Sequence, residues 1–507
     1  MSAEHPPEVV VVGAGPVGLG LALGLARCGV RSLLLERRTS LSEHSKAPGL
    51  HVRTREVLRR WDVEDALLAE GRLVRRLALH RDLAGRQAPL LDVDFTELAD
   101  EAEDPGLLVL EQDRTERLLL EALRATGCCE VRLGAEVVDV VARSGGASVS
   151  YDEDGVRHAV TVPYVVGCDG ASSVVRERLG LGFDGITYTL RPVLADVRVT
   201  DARDRLPWPQ VRNARRSLSF AVQLRPGLWR IVALGRGDGP DEPDAGEVAR
   251  EAEPLLGPGP CEVAWASRFR IHRRSAPRFR VGPVLLAGDA AHVHSPVGGQ
   301  GMNGGLHDAA DLAWKLARAL EGGDGDRLLD AYDTERRGVV VGSTSRYTDL
   351  VTRAFLLAPA SVRSAAFAAA RAALRIPRLR RRGLRRAAML DLRYRRSPLL
   401  PGGAPPAGVR LPDPVLRVPG GGSVRLHRLT GYRPALVECR AGDSQIPEGP
   451  VPVVRVTADG HREPAGVLAR LLGGRDGWLL VRPDGHVARA GRAPTGPTAA
   501  EIQHALG

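Results

Sequence analysis

Lysine is nearly absent from this chain of 507 residues. Only Lys46 and Lys315 occur among 71 basic residues, so the formal net charge of +10 rests on arginine. A basic balance raises nucleic acid as a partner, but an arginine bias spread along the whole chain is a matter of composition. Its dense part, residues 363 to 396, includes "RIPRLRRRGLRR" (Arg375 to Arg386). Aromatic side chains, which a nucleic-acid surface uses to stack bases, make up 4% of the chain, and between 363 and 393 only Phe367 occurs. With Leu374, Leu379 and Leu384 interleaved, the stretch reads as a helical surface with one apolar edge. It suits docking on another protein or on the C-terminal part of this chain, and no nucleic acid is expected.

Cysteine is scarce as well. Cys28, Cys128, Cys129, Cys168, Cys261 and Cys439 form no C-x-x-C and no Cys/His grouping with zinc spacing. Reduced, buried thiols in a reducing compartment are the expectation. His292-Val293-His294 lacks the carboxylate or thiol partner of a metal site, so no metal is expected. The start "MSAEHPPE" has no basic region ahead of an apolar one, which argues against a secretory signal. Glycine and proline, 58 and 36, stay under a fifth of the chain and do not indicate wholesale disorder. A chain this long holds two to four domains with sizeable cores, and the expected location is cytoplasmic.

Long apolar runs are also missing, with one exception that the sequence itself interrupts. "VVVVGAGPVGLGLALGLARCGV" (9 to 30) carries no charge from Val9 to Ala26, close to the roughly 20 residues of a membrane span. Gly13, Gly15 and Gly18 break it as G-x-G-x-x-G. Four valines before them read as a buried parallel strand. Behind them Leu19, Ala22, Leu23 and Ala26 recur at helical spacing. A strand, a glycine turn and a helix begin a βαβ unit. Gly13 lets the chain reverse, Gly15 leaves room for a pyrophosphate, and Gly18 lets helix and strand pack closely. The helix N-terminus, with Pro16 and Val17, offers free N–H groups to phosphate. "SLLLE" (Ser32 to Glu36) reads as the second strand, ending in an acid where a ribose diol needs an acceptor. The opening run is a dinucleotide site.

Residues 183 to 275 read mostly as strands, with a hairpin around Pro226-Gly227, and helical pattern returns from Asn303 to about 395. No internal repeat occurs. "GRGDG" (Gly235 to Gly239) is read as a loop, because Asp238, Asp241, Glu242 and Asp244 would repel phosphate. "SPLLPGGAPPAG" (397 to 408) reads as a linker. Two further motifs carry chemistry. In "VVGCDGASSVVRERLG" (165 to 180) a strand ends at Asp169-Gly170, and Ser173 and Arg176 lie on the next helical turn. In "VLLAGDAAHVHSPVGGQGMNGGLHDAADLAWKLA" (284 to 317) a strand runs into Gly288-Asp289. Asp289 would accept from a polyol hydroxyl, Pro296 gives a stiff wall, and the glycine-rich loop brings bare N–H groups to a helix start.

These three motifs, in this order, resemble the class A FAD-dependent monooxygenases, the para-hydroxybenzoate hydroxylase family, in its polyketide and phenol hydroxylase branch. The likeness continues through "YDTERR" (332 to 337), "YRRSPL" (394 to 399) and "AGVRLPD" (407 to 413). It implies an α/β fold: a Rossmann-type FAD-binding domain over 6–74, 104–178 and 276–345, and a mostly β substrate domain over 75–103 and 179–275. An Arg-rich helical segment (346–396), the linker and a thioredoxin-like C-terminal domain (409–507) would follow. By the same likeness Gly13, Gly15, Pro16, Val17 and Gly18 receive the FAD pyrophosphate, Glu36 holds the adenosine ribose and Arg37 lies near the adenine end. Arg53 and Gln112 match positions near the flavin phosphates and ribitol. Asp169 touches FAD and is implicated in NAD(P)H use, Asp289 binds the ribitol–phosphate stretch, and Pro296, Gly299, Gly301, Met302 and Asn303 line the isoalloxazine. Lys46 stands where relatives carry arginine, so its phosphate contact lacks the fork.

The implied activity is NAD(P)H-dependent hydroxylation of a polycyclic phenol by way of a flavin C4a-hydroperoxide. NAD(P)H binds transiently, and an aromatic small molecule and dioxygen are the partners. The missing cysteine pair argues against flavoprotein disulfide reductases, and the missing Trp-x-Trp-x-Ile-Pro stretch against halogenases. Baeyer–Villiger insertion or antibiotic inactivation on the same fold, and a flavin-holding scaffold without turnover, are the alternatives. Tyr188, His272, Arg212, Arg215 and Arg216 are the polar candidates of the sheet region, and none is singled out as a base. Cys439 is the sole cysteine of the tail, which fits a structural or dimer-forming duty there.

Overall fold

The structure is a computed structural model and describes residues 6–42, 47–83, 86–214, 218–234, 240–296, 298–400, 406–440, 442, 446, 449–457, 460–492 and 495–507. Lys46, Arg215, Arg216 and the 235–239 loop lie outside the described residues.

The four valines form β1 (Val9–Val12), none more than 5% exposed. The glycine turn leads into α1 (Pro16–Arg27), and the chain returns as β2 (Ser32–Glu36). After α2 (Val52–Arg60) and α3 (Gln112–Thr126) come β3 (Cys129–Leu133), β4 (Tyr164–Gly167), β5 (Arg280–Val281) and β6 (Val284–Leu286). The sheet order is β5-β6-β4-β1-β2-β3, with all neighbours parallel except β5 against β6. From β1 the chain goes to β2 on one side and later to β4 on the other. The carboxyl ends of β1 and β4 therefore frame a topological switch point, where open α/β sheets bind ligands.

A second sheet has seven strands, in the order Glu262–Arg268, Val193–Arg198, Leu228–Leu234, Leu218–Arg225, Gln210–Asn213, Arg76–Leu83 and Arg86–Asp94. The hairpin at Pro226-Gly227 is present, Leu218–Arg225 pairing antiparallel with Leu228–Leu234. Alternate residues Val193, Ala195, Val197, Trp229, Ile231 and Ala233 bury one face under the helix Ala245–Leu256.

The later helices are α4 (Gln300–Leu320), α5 (Gly325–Val339), α6 (Ala360–Ala373) and α7 (Pro377–Ala387). The arginine-rich α7 finds its partner inside the chain, in the turn 95–102 rather than in the C-terminal part. Leu384, 2% exposed, packs with Val52, Phe95, Leu98 and Ala102. Arg380 pairs with Glu97 at 2.9 Å, and Arg381 with Asp100 and Glu101 at 2.8 Å each. The docking surface read from the sequence is thus partly consumed by acids the sequence places 280 residues earlier.

Near the C-terminus, Ala435–Cys439 runs parallel to Val453–Val456 and antiparallel to Gly477–Val481, which pairs in turn with Val487–Arg492. The turn of that last hairpin packs onto α4 and α5. Arg482 is fully buried; it donates to Glu335 of α5 at 2.6 Å, to Asp311 of α4 at 3.0 Å and to Asp484 at 2.6 Å. Lys315 donates to Asp311 and Glu335 at 2.7 Å each. Removing one member of a buried ion cluster strands the rest, at about 3–5 kcal/mol. Arg482→Met should lower unfolding free energy by that order, measured by urea denaturation followed at both far-UV circular dichroism and tryptophan fluorescence.

Candidate functional site

Three chain reversals meet at the switch point. At the end of β1, Gly13 takes φ +102°, and a Cβ there would lie 2.7 Å from the carbonyl oxygen of Cys168. A Cβ on Gly18 would fall 1.9 Å from the carbonyl of Gly13, so the helix can approach its own strand only without a side chain. Gly15 differs, since nothing lies within 4 Å of the place its Cβ would occupy. It caps α1 with no side-chain hydrogen bond, and no acid stands in the first turn. The start of α1 therefore has room beside Gly15 and no competing cap or acid at the positive end of the helix dipole, the environment a pyrophosphate requires.

Pro16 is the first residue of α1, and Val17 sits between two glycines of the third motif. A Cβ on Gly305 would come within 2.4 Å of Val17 Cγ2, and one on Gly288 within 2.9 Å. The first turn of α1 thus packs against the Gly288-Asp289 turn and α4 together. Asp289 is exposed in the short helical turn Gly288–Ala290. Glu36 ends β2, buried; its carboxylate accepts from the Ala14 N–H at 2.8 Å, the Arg38 N–H at 3.0 Å and Arg38 Nε at 2.9 Å. Burial pushes this carboxyl up, yet those donors outweigh it and hold it below its ordinary value. Arg37 beside it is exposed.

The loop before α4 is held from outside. Asn303, fully buried, accepts the His51 N–H at 2.9 Å and donates to the carbonyls of Gly49 and Gly299 at 2.8 and 2.7 Å. His51 Nε2 bonds the Gly298 carbonyl at 2.8 Å, which requires the proton on that nitrogen, and burial holds its pKa low. Gly299, with φ +63°, starts α4; Gly301 has nothing within 4 Å of its would-be Cβ; Met302 is buried and Pro296 exposed. Like α1, α4 begins with no side-chain cap and no acid in its first turn. Two uncapped helix starts lined by open glycines are a cradle that fits FAD.

Asp169 is half-buried and caps its own helix, accepting from the Ser173 hydroxyl at 2.6 Å and the Val175 N–H at 3.1 Å, while burial raises its pKa. Gln112, at the start of α3, donates to Glu116 at 2.8 Å. Arg53, expected near the flavin phosphates and ribitol, has its guanidinium buried, pairing with Glu56 at 2.8 Å and donating to the Asp484 carbonyl at 2.6 Å. A buried guanidinium needs acceptors to offset its desolvation, and Arg53 finds them on the flank of α2 facing the C-terminal part.

Tyr188 donates its hydroxyl to Asp349 at 2.5 Å, and burial together with that carboxylate raises its pKa, which suits a donor and not a base. His272 meets the Thr187 hydroxyl at 2.9 Å, its pKa lowered by burial and by Arg274. Arg212 is exposed.

Sequence reading missed Asp308. Its carboxylate, with no exposure, accepts from the Gly288 N–H at 3.0 Å, His292 Nε2 at 2.7 Å and Arg336 Nε at 2.7 Å. Burial opposes its ionisation, but His292 and Arg336 keep its pKa well below the usual range. The signal was present as an acid on a helix face otherwise made of Leu306, Ala309 and Leu312. His292 thus serves this bracket, and among the described residues no cluster of metal-ligating groups occurs. "YDTERR" is also explained: Tyr332 donates to the Leu286 carbonyl at 2.7 Å, Asp333 accepts the Phe279 N–H at 2.6 Å, and Glu335 and Arg336 serve the two buried charge clusters.

Residues 7–346 match the family model described as "FAD binding domain". The chain is 34% identical to the 6-methylpretetramide 4-monooxygenase of Streptomyces rimosus, over 98% of this chain and 93% of that protein. Among solved structures it is similar to the anhydrotetracycline hydroxylase OxyS of Streptomyces rimosus, with TM-score 0.78, 31% identity and 96% of each chain covered. It is also similar to CabE, an aromatic hydroxylase from angucycline biosynthesis, with TM-score 0.80, 29% identity and 99% of each chain covered.

Two outcomes are expected. Gly15→Ala should leave the melting temperature of the FAD-free protein unchanged but weaken FAD binding by about tenfold or more, whereas Gly13→Ala should destabilise the FAD-free fold itself by about 1–3 kcal/mol; thermal scans with and without FAD separate them. The second concerns acid. His294, at the mouth of the loop, has its pKa pulled from 6.5 down to about 4 by burial and by its neighbour His292. Protons bind the unfolded chain first, so this contribution is complete above pH 6.5 and is lost as pH falls toward 4. His294→Gln should flatten the melting-temperature profile across that window.

Proposed function

The chain belongs to the class A FAD-dependent aromatic monooxygenases, and we propose that it transfers one oxygen atom from dioxygen to a polycyclic phenol or quinone of polyketide type, with NAD(P)H as electron donor. The observation that carries this reading is the pair of uncapped helix starts at Gly15 and Gly299, joined through Val17 and continuous with the family match. Relatives named for tetracycline and angucycline chemistry over nearly their whole length support the substrate class.

When bound, FAD supplies the redox chemistry between the nicotinamide donor, dioxygen and the aromatic ring. The chain's own part is placement. The α1 N–H groups and Gly15 receive the pyrophosphate, Glu36 the ribose, Asp289 the ribitol stretch, and the N–H groups of Gly301 and Met302 the pyrimidine edge of the flavin. Pro296 walls the ring, and Asn303 and His51 hold the loop that carries these groups. The seven-stranded sheet covers the substrate and excludes water. With a single dinucleotide fold, NAD(P)H binds transiently, in keeping with Asp169 at the third side of the crevice.

Residues 6–74, 104–178 and 276–345 then form the cofactor domain, and 75–103 with 179–275 the substrate domain. We read 409–507 as thioredoxin-like, which the parallel pair followed by a hairpin and the helix Ala499–Leu506 supports. Cys439 is buried with its thiol pKa pushed up, so dithiol exchange is not its role.

The test is direct. Purified protein loaded with FAD should oxidise NADH or NADPH faster with naphthacene or anthraquinone phenols, and oxygen-18 gas should place one labelled atom in the product. Product NMR then separates hydroxylation from ring expansion. Cofactor consumption without labelled product across the panel would overturn the reading.

A further inference from the structure

Helix α2 carries two stripes with different allegiances. Arg53, Glu56 and Arg60 recur at i, i+3 and i+7, on one flank. Arg53 donates to the carbonyl of Asp484 at 2.6 Å, Arg60 donates to the carbonyl of Pro483, and Glu56 accepts from Arg410 Nε at 2.8 Å. All three partners belong to the C-terminal part. On the other flank stand His51 and Thr54. His51 is bonded to Gly298 and Asn303 of the loop before α4, and the Thr54 hydroxyl meets His307 Nε2 of α4 at 3.0 Å. One helical turn therefore separates the turn Arg482–Gly485 from the loop 298–303.

The link is dry. Arg53 is 5% exposed, Glu56 2%, Asp484 3% and Asn303 0%. Arg53 shares Glu56 with Arg410, so its second arm needs another acceptor, and the Asp484 carbonyl is that acceptor. Gly485 makes the approach feasible, for at φ +77° a Cβ there would stand 2.6 Å from Arg60 Nη2. Without the turn a buried guanidinium would lack a partner and α2 would shift to hydrate it, carrying His51 along.

We propose that the turn Arg482–Gly485 sets the position of the loop 298–303 by way of α2, with Arg53 as the positioning residue. The C-terminal part is then a component of the cofactor site rather than an appendage, an inference that rests on the FAD reading of that loop. Its action is indirect, since both arms of the Arg53 guanidinium are engaged by Glu56 and the Asp484 carbonyl.

The experiment uses the full chain and four variants: Arg53→Met, Arg53→Lys, Gly485→Ala and Val437→Ala. Val437 is fully buried in the C-terminal core and away from α2, so its variant reports general loosening of that part. FAD affinity is read by quenching of flavin fluorescence, and the loop by hydrogen exchange at 298–303 in FAD-free and FAD-loaded protein. Arg53→Met and Gly485→Ala should weaken FAD binding by about tenfold and speed exchange in the loop. Arg53→Lys, keeping one donor, should recover part of both. Val437→Ala should lower the melting temperature while leaving affinity and loop exchange unchanged. If Arg53→Met does not fold, Arg53→Lys and Gly485→Ala decide alone. Wild-type loop exchange in Arg53→Met and Gly485→Ala, or equal loosening in Val437→Ala, would overturn the proposal. A wild-type chain that ignores FAD would sink the cofactor reading instead, and exchange in the FAD-free protein would still decide the coupling.

Discussion

A single buried carboxylate, that of Asp308, holds the arrangement on which the rest depends. It gathers the N–H of Gly288, the ring of His292 and the guanidinium of Arg336, which come from a turn, a strand and a second helix. An ion in an interior of low dielectric is tolerated only when each lone pair finds a donor. Here the satisfaction of one acid fixes the Gly288-Asp289 turn against α1 and α4. Val17 then has one place to go, between Gly288 and Gly305, and the two helix starts are locked in relation to each other.

Around that bracket the interior is more charged than a generic core. Lys315, Asp311, Glu335, Arg482 and Asp484 form one closed cluster, and Arg53, Glu56 and Arg410 another. Such clusters add little net stability over apolar packing, but they are directional and tolerate few alternatives. Their placement at the seams between α2, α4, α5 and the C-terminal hairpin gives those seams a defined geometry.

Legibility from sequence followed the range of the contacts. The βαβ opening was readable because a run of valines, three spaced glycines and a helical period are local facts. So was the hairpin at Pro226-Gly227. The partners of α2 were out of reach of local pattern: the Arg53 partner Asp484 lies 431 residues away, and the loop anchor between His51 and Asn303 spans 252. No local pattern distinguishes an arginine that meets a phosphate from one that meets a distant carbonyl. Asp308 stood in plain view, an acid on an apolar helix face, and burial was the missing fact.

The sealing of Lys315 has a practical corollary. This ammonium has no exposed surface and donates hydrogen bonds to two carboxylates, and Lys46 is the sole other lysine in the chain. Amine-directed reagents, whether dyes, cross-linkers or activated resins, therefore find no reactive side chain at this position. A chain with 71 basic residues thus offers acylating chemistry at most one side-chain amine besides this sealed one.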